Sequence, residues 1–150
     1  MTKTVCRKAT YRDITAIVDI AVESVMRDPL PVTVDREAMR EMAMQCLNPA
    51  HFMWVAEDEA GNVVASVAAM TQKSFWYRGL QCSVLLYYTR QPGAGAALLR
   101  EFARWMKSRS GIKVAVLELE PNVDLRLTRF LKRLGFGRKS INMTYVRSSL

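Results

Sequence analysis

Two different periods organise the apolar and polar positions of this chain, and the changes of period place its elements. Ile14, Ile17, Val18, Ala21 and Val25 recur in steps of three and four, the spacing of one helix face. Thr10 and Asp13 precede them as a T-x-x-D start signal, and Asp28-Pro29 ends the run. Ala38, Met39, Met42, Ala43 and Cys46 repeat the pattern in a second helix, which starts near Thr33 or Asp35 and stops at Asn48-Pro49. Its methionine-rich stripe is expected to pack in the core. Further helical runs cover residues 94–108 and 124–134, with Gly111 and Gly135 placed to end them.

Between these runs the pattern shortens to that of strands. Residues 3–8, KTVCRK, read as a short strand. Residues 52–57, FMWVAE, and 62–70, NVVASVAAM, flank the turn DEAGN as a hairpin. Residues 74–80, SFWYRGL, form the far end of that hairpin and the turn leaving it. QCSVLLYYT at 81–89 is a third strand at the centre of the sheet, and IKVAVLEL at 112–119 is another. The segment 136–147, FGRKSINMTYVR, is expected to supply one long strand or two short ones. The order is strand, two helices, three strands, helix, strand, helix, strand. That describes one α/β or α+β domain over residues 1–150 with a mixed sheet.

Composition narrows the class. Half of the 150 residues are hydrophobic and 24% charged, as in soluble globular domains. No run is long and apolar enough to cross a membrane, and MTKTVCRKAT lacks the apolar core of a signal peptide. Cys6, Cys46 and Cys82 are odd in number and lack CxxC spacing. Reduced thiols and a cytoplasmic setting are therefore expected, without a zinc site. Residues 1–99 carry 10 Lys+Arg and 10 Asp+Glu, while residues 100–150 carry 12 and 4, so the net charge of +8 arises in the last third. A phosphate-bearing cofactor, an acidic partner or a merely solvated basic face would each suit that surface. No aromatic-basic motif accompanies it, and nucleic acid is not expected as a partner.

The strand-to-helix connection RQPGAGA at 90–96 carries the chemistry. The first amides of a helix lack partners and sit at the positive end of its dipole, so they bind anions. Glycine lets the backbone approach a phosphate, and Arg90 could add a charge-assisted contact. No Lys-Ser or Lys-Thr follows the glycines, which excludes a P-loop. Leu98 occupies the third small position of a dinucleotide fingerprint counted from Gly93, which weakens that reading. A tight turn without a ligand also remains open.

Arg90-Gln91-Pro92-Gly93-Ala94-Gly95 fits the pattern [QR]-x-x-G-x-[GA] at every fixed position. With the element order, and with RFLKRLGF at 129–136, it resembles the GNAT superfamily of acyl-CoA N-acyltransferases over nearly the whole chain. The resemblance implies a mixed, mostly antiparallel sheet with splayed fourth and fifth strands, flanked by about four helices. It implies acetyl-CoA or CoA as cofactor. The pantetheine arm would lie along Leu86, Tyr87 and Tyr88, and the pyrophosphate on Arg90, Gln91, Gly93, Ala94, Gly95 and Ala96. The acceptor would be an amine on a small molecule or a protein; a homodimer is compatible with it.

The usual acid–base residues are less well represented. The tyrosine of the family's YEKLGF ending falls on Leu131, which cannot donate a proton. The family's asparagine near the start of that helix falls on Asp124, with Asn122 as the nearby amide. No carboxylate lies in RGLQCSV at 78–84. Glu118 and Glu120, expected on one face of a strand, and Tyr145 are the remaining candidates for acid–base work. His51 reads as a surface residue or loop anchor, and Trp54, Trp76 and Trp105 as core or interface residues. FWY at 75–77 lies near where the family often admits its acceptor. The leucine at 131 is also similar to GNAT-like proteins of tailed phages, some of them virion components. A non-catalytic CoA-binding or structural protein is thus the alternative, in a host cytoplasm or a virion if phage-encoded.

Overall fold

The computed structural model describes residues 3–147. Among these described residues, five strands form one sheet in the order β1-β2-β3-β4-β5. They are β1 (Val5–Lys8), β2 (Phe52–Glu57), β3 (Val63–Lys73), β4 (Leu80–Thr89) and β5 (Ile112–Val116). The first four pair antiparallel; β4 and β5 pair parallel. Four α-helices accompany them: α1 (Ile14–Met26), α2 (Arg36–Cys46), α3 (Ala94–Lys107) and α4 (Leu125–Leu134). The expected mixed, mostly antiparallel sheet with four helices is therefore the observed one.

Helix starts follow the sequence signals. Asp13 Oδ2 accepts from the Thr10 amide at 2.7 Å, fixing a 3₁₀ turn at Tyr11–Asp13 that leads into α1. Asp35 caps α2 by accepting from the Ala38 amide, which selects Asp35 over Thr33 as its start. Asp13 also takes two hydrogen bonds from Arg7 of β1, at 2.8 and 2.9 Å, and Arg7 reaches Glu57 of β2 as well. The first helix is thereby tied to the outer strands. Asp13 is 6% exposed, and the Arg7 guanidinium holds its carboxyl below the ordinary carboxylate range.

The sheet is covered on both faces. Ile14, Ile17 and Ile20 of α1 and Ala43 of α2 pack with Met53, Val55, Ala68 and Leu86 on one side. Leu98, Leu99 and Phe102 of α3 and Leu131 of α4 pack with Phe52, Ala56, Val67 and Cys82 on the other. Residues 53 and 55 of β2 thus face one layer and 52 and 56 the other, as strand alternation requires. Double coverage explains why β3 shows a continuous apolar run: Val63 to Ala69 are all buried. Met39 and Met42 lie against the core, as the stripe predicts. Trp54 and Trp105 join an aromatic cluster with Phe52 and Phe102, ring centroids 5.1–6.2 Å apart.

Three expectations need correction. The run at 112–119 ends as a strand at Val116 rather than Leu119, because β4 no longer offers pairing groups beyond Ser83. Residues 136–147 form neither one strand nor two. The start of that segment packs: Gly135 takes a left-handed conformation (φ 112°), the Phe136 amide donates to the Leu131 carbonyl, and the Phe136 ring stacks near Phe102. Trp76, expected in a core or interface, is 82% exposed at the β3–β4 turn.

Candidate functional site

β4 and β5 run together only briefly. Leu80 to Ser83 face Ile112 to Val116, with a register shift between Leu80 and Gln81, and pairing then stops. β4 continues for six residues, Val84 to Thr89, bonded to β3 alone. A bulge helps to turn it away. Ala68 faces Leu86 and Ala69 faces Val84, so Leu85 has no partner on β3, and bulges bend and twist a strand. The extra residue also exchanges faces. Leu86 and Tyr88 lie on the α1 layer, while Tyr87 lies on the α3 layer. The two adjacent tyrosines therefore point to opposite sides of the sheet.

The parted strand leads directly into the glycine loop. Gly93 is the residue before α3, with φ 76° and ψ −42°, a backbone that side chains other than hydrogen rarely adopt. A Cβ there would meet nothing within 4 Å, so its outer side is open. The first helical hydrogen bond runs from the Ala97 amide to the Gly93 carbonyl. The amides of Gly95 and Ala96 precede that bond, as the opening turn of any helix requires. No side chain caps this end and no acidic residue lies in its first turn. The Ala94 amide is engaged by the Pro92 carbonyl at 2.7 Å, and the Gln91 amide by the Thr89 hydroxyl. Gly95 has a different task. A Cβ on it would lie 2.5 Å from Tyr87 Oη and 3.0 Å from Thr89 Cγ2. Its missing side chain lets α3 close against β4. Burial pushes the Tyr87 phenol above its ordinary range, so it stays protonated at neutral pH.

Arg90 turns back from this loop. Its guanidinium makes two hydrogen bonds to Glu23 of α1, at 2.6 and 3.0 Å, and one to the Val63 carbonyl. Arg90 lowers the Glu23 carboxyl in turn, and the Tyr88 hydroxyl adds to the effect. Arg27, the residue that follows α1, lies over the Tyr88 ring at 5.5 Å. The loop and the end of β4 are thus fastened to α1 through two arginines.

The acid–base candidates lie outside β4, the glycine loop and α3. Because β5 ends at Val116, Glu118 and Glu120 occupy the irregular segment before α4, both exposed. Asn122 is exposed in the same segment. Asp124 caps α4, accepting from the Arg126 amide at 2.8 Å and pairing with the Arg126 side chain. Tyr145 is 81% exposed, with Arg147 over its ring. Leu131 is 4% exposed inside the α3–α4 layer. His51 anchors a loop, its Nδ1 accepting from the Thr71 amide at 3.0 Å. A cleft of about 440 Å³ lined by Thr71, Leu80, Arg109 and Ile112 lies at the start of β4, the opposite end from the glycine loop. The described residues contain no group of three or more His, Cys, Asp or Glu placed to hold a metal ion.

The features that reasoning from sequence missed are the Leu85 bulge, the Glu23 partner of Arg90 and the inward role of Gly95. The close approach of two elements at G-x-G was the one readable hint of the last.

No curated protein matches the chain in sequence. Solved structures match its fold along nearly its whole length. A Clostridium acetobutylicum protein named a predicted acetyltransferase, solved with acetyl-CoA, superposes with a TM-score of 0.75 at 19% identity, covering 97% of this chain and 96% of its own. Glucosamine-6-phosphate N-acetyltransferase of Arabidopsis thaliana gives 0.71 at 17% identity, covering 97% and 99%. An aminoglycoside acetyltransferase from an uncultured soil metagenomic sample, solved with sisomicin, gives 0.67 at 12%, covering 98% and 97%. These likenesses establish the fold. The model of the acetyltransferase (GNAT) family matches residues 19–136, a span that includes the parted strands, the glycine loop and the L-G-F ending of α4. By that match the chain belongs to the GNAT acetyltransferase family, whose members use acetyl-CoA.

Proposed function

We propose that this domain binds acetyl-CoA and transfers its acetyl group directly to an amine. The observation that carries the reading is the continuity of β4 with α3. A strand edge without a neighbour, from Val84 to Thr89, runs into a helix start that has neither cap nor acid. The free edge suits the amide-bearing pantetheine arm, which can add to a strand through backbone hydrogen bonds. The amides of Gly93, Gly95 and Ala96 suit the pyrophosphate. Arg90 holds the loop through Glu23 and Val63, Tyr87 forms the wall behind Gly95, and Leu86 and Tyr88 face the α1 layer. The basic residues after position 100 favour a polyanion at long range.

Acetyl-CoA supplies an activated thioester, so the chain's task is to position an uncharged amine beside it. Holding two reactants in line can supply much of the rate enhancement. Leu131 contributes packing and no proton. Glu118 and Glu120 remain candidates for taking the amine's proton through water, and Tyr145 for donating one, with Asn122 as a contact to the cofactor. Burial of Leu131, where the family's acid would stand, supports the second reading. In it the domain binds CoA without catalysis, as an interaction or virion module.

Calorimetric titration with acetyl-CoA and CoA tests the first step. Gly93→Glu should weaken binding by at least about 100-fold, since it places a negative charge where the phosphates would lie. Gly93→Ala, which adds backbone strain but no charge, separates strain from repulsion. No binding by the unaltered chain would defeat the cofactor reading. Thiol release across a panel of amines then separates enzyme from binder.

A further inference from the structure

One end of the sheet gathers cations without acids, and three exposed aromatic rings project from it. The turn between β3 and β4 carries Phe75, Trp76 and Tyr77, which are 84%, 82% and 65% exposed. The turn is nevertheless built. Ser74 Oγ accepts from the amides of Trp76 and Tyr77 at 3.1 Å each, and the Ser74 amide donates to the Gly79 carbonyl. The amides of Trp76 and Tyr77 can therefore leave water with a partner already in place.

Two other connections lie beside this turn. The Leu80 amide donates to the Gly111 carbonyl, and a Cβ on Gly79 would come within 2.6 Å of Lys113 Cγ. Arg109 donates to the Pro49 carbonyl, which brings in the loop before β2. Lys73, Arg78, Lys107, Arg109 and Lys113 are all exposed here, and none of them forms an ion pair among the described residues. The segments that supply this end, 47–51, 71–80 and 106–113, contain no Asp or Glu.

Uncompensated cations around exposed rings suit an anionic surface, and the shape decides which. Single-stranded nucleic acid stacks on rings set along a groove. These rings stand out from a turn, and the cleft beside them is lined by Ala50, Thr71, Leu80 and residues 108–112, none of them aromatic. A stable protein interface takes roughly 20–30 residues a side, whereas the apolar part here is three consecutive residues. Trp and Tyr flanked by Lys and Arg are the side chains that settle at the headgroup level of a bilayer.

We propose that the β3–β4 turn docks this protein on an anionic phospholipid surface. Phe75, Trp76 and Tyr77 enter the interfacial layer, and the five cations lie on the headgroup phosphates. The 10 residues of β4 span about 30 Å, so the glycine loop at the far end of that strand stays clear of the bilayer. The proposal does not depend on acetyl-CoA binding.

The test is co-sedimentation of the full chain with vesicles of phosphatidylcholine, alone or mixed with phosphatidylserine. Binding should require the anionic lipid and weaken as salt rises. Trp76 emission should shift to the blue on binding. Trp76→Phe should lose that shift and keep most of the affinity, since Trp54 and Trp105 stay packed in the aromatic cluster. Phe75→Ser, Trp76→Ser and Tyr77→Ser together should weaken binding at least about tenfold, from the lost apolar burial. Lys73→Gln with Arg78→Gln should weaken it about 30-fold, as two cations at an anionic surface imply. Far-UV circular dichroism and thermal melts of both sets should match the unaltered chain, since these side chains are exposed. No binding to anionic vesicles at low salt would overturn the proposal. So would equal binding to neutral vesicles, binding that survives either set of substitutions, or a blue shift that persists in Trp76→Phe. Tighter binding to polyglutamate or to single-stranded DNA than to the vesicles, at the same salt, would overturn it in favour of a macromolecule in solution.

Discussion

The parallel pair β4–β5 behaves as two regions. From Leu80 to Ser83 the strands are hydrogen-bonded neighbours with Cys82 buried between layers. From Val84 to Thr89 one strand continues alone, bent by the Leu85 bulge and fastened at its end to α1. The paired region satisfies its own backbone and serves the core. The parted region keeps its ladder to β3 on one side, leaves backbone groups on the other for something else, and is fastened at its end by the side chains of Arg90 and Glu23. Substitutions should therefore separate the two, with stability effects in one and coupled stability and binding effects in the other.

The largest effect is expected where the loop and the parted strand touch. Gly95→Ala places a methyl against Tyr87 Oη and Thr89. Overpacking of this kind costs about 1–3 kcal/mol, offset in part by alanine's better helix propensity. Tyr87→Phe removes the nearest atom. The double variant should recover about 1 kcal/mol relative to the sum of the single ones, a coupling that urea denaturation can measure. Acetyl-CoA affinity should fall in Gly95→Ala and recover in the pair. Additive stabilities would show that Gly95 does not serve as a contact point.

Away from the site, the Arg7–Asp13–Glu57 cluster should show a stability effect alone. Asp13→Asn loses charge-assisted hydrogen bonds from Arg7 and should cost about 2 kcal/mol without changing acetyl-CoA affinity at temperatures where the variant is folded. Asp13 titrates below its unfolded value. Its contribution is thus fully present above the unfolded carboxyl pKa, about 4, and fades as pH falls through the lower folded value. The asparagine variant should accordingly show a shallower loss of stability below about pH 4 in thermal melts across pH.

Much of this division was legible in the sequence. Helical period, a start signal at Thr33 or Asp35 and the Gly135 stop placed α1, α2 and α4, because each depends on near neighbours. The glycine loop was legible for the same reason. The bulge was not, since VLLYY is apolar throughout and offers no alternation from which a change of face could be read. The early end of β5 was hidden because LEL continues the strand pattern, and only the departure of β4 removes its partner. Residues 138–147 alternate as a strand should, yet pairing depends on an edge that sequence spacing does not locate. Arg90 and Glu23 lie 67 residues apart, so no local pattern joins them.

That pair supplies the smallest effect and the sharpest distinction. Arg90→Ala removes a half-exposed ion pair, and such pairs contribute under about 1 kcal/mol to stability. Arg90 has two potential roles at the loop, which the two partners of the pair separate. If the guanidinium acts by anchoring the loop to α1, Glu23→Gln should weaken acetyl-CoA binding in the same direction as Arg90→Ala, each by less than about tenfold, consistent with a modest energy. If it acts by contacting phosphate, Glu23→Gln frees the cation and should hold or tighten binding while Arg90→Ala weakens it. The two hydrogen bonds to Glu23 and the third to the Val63 carbonyl favour the anchor, and the expected outcome is a parallel loss measured by titration at low salt. Opposite responses would move Arg90 from the support of the parted region to its ligand-facing surface.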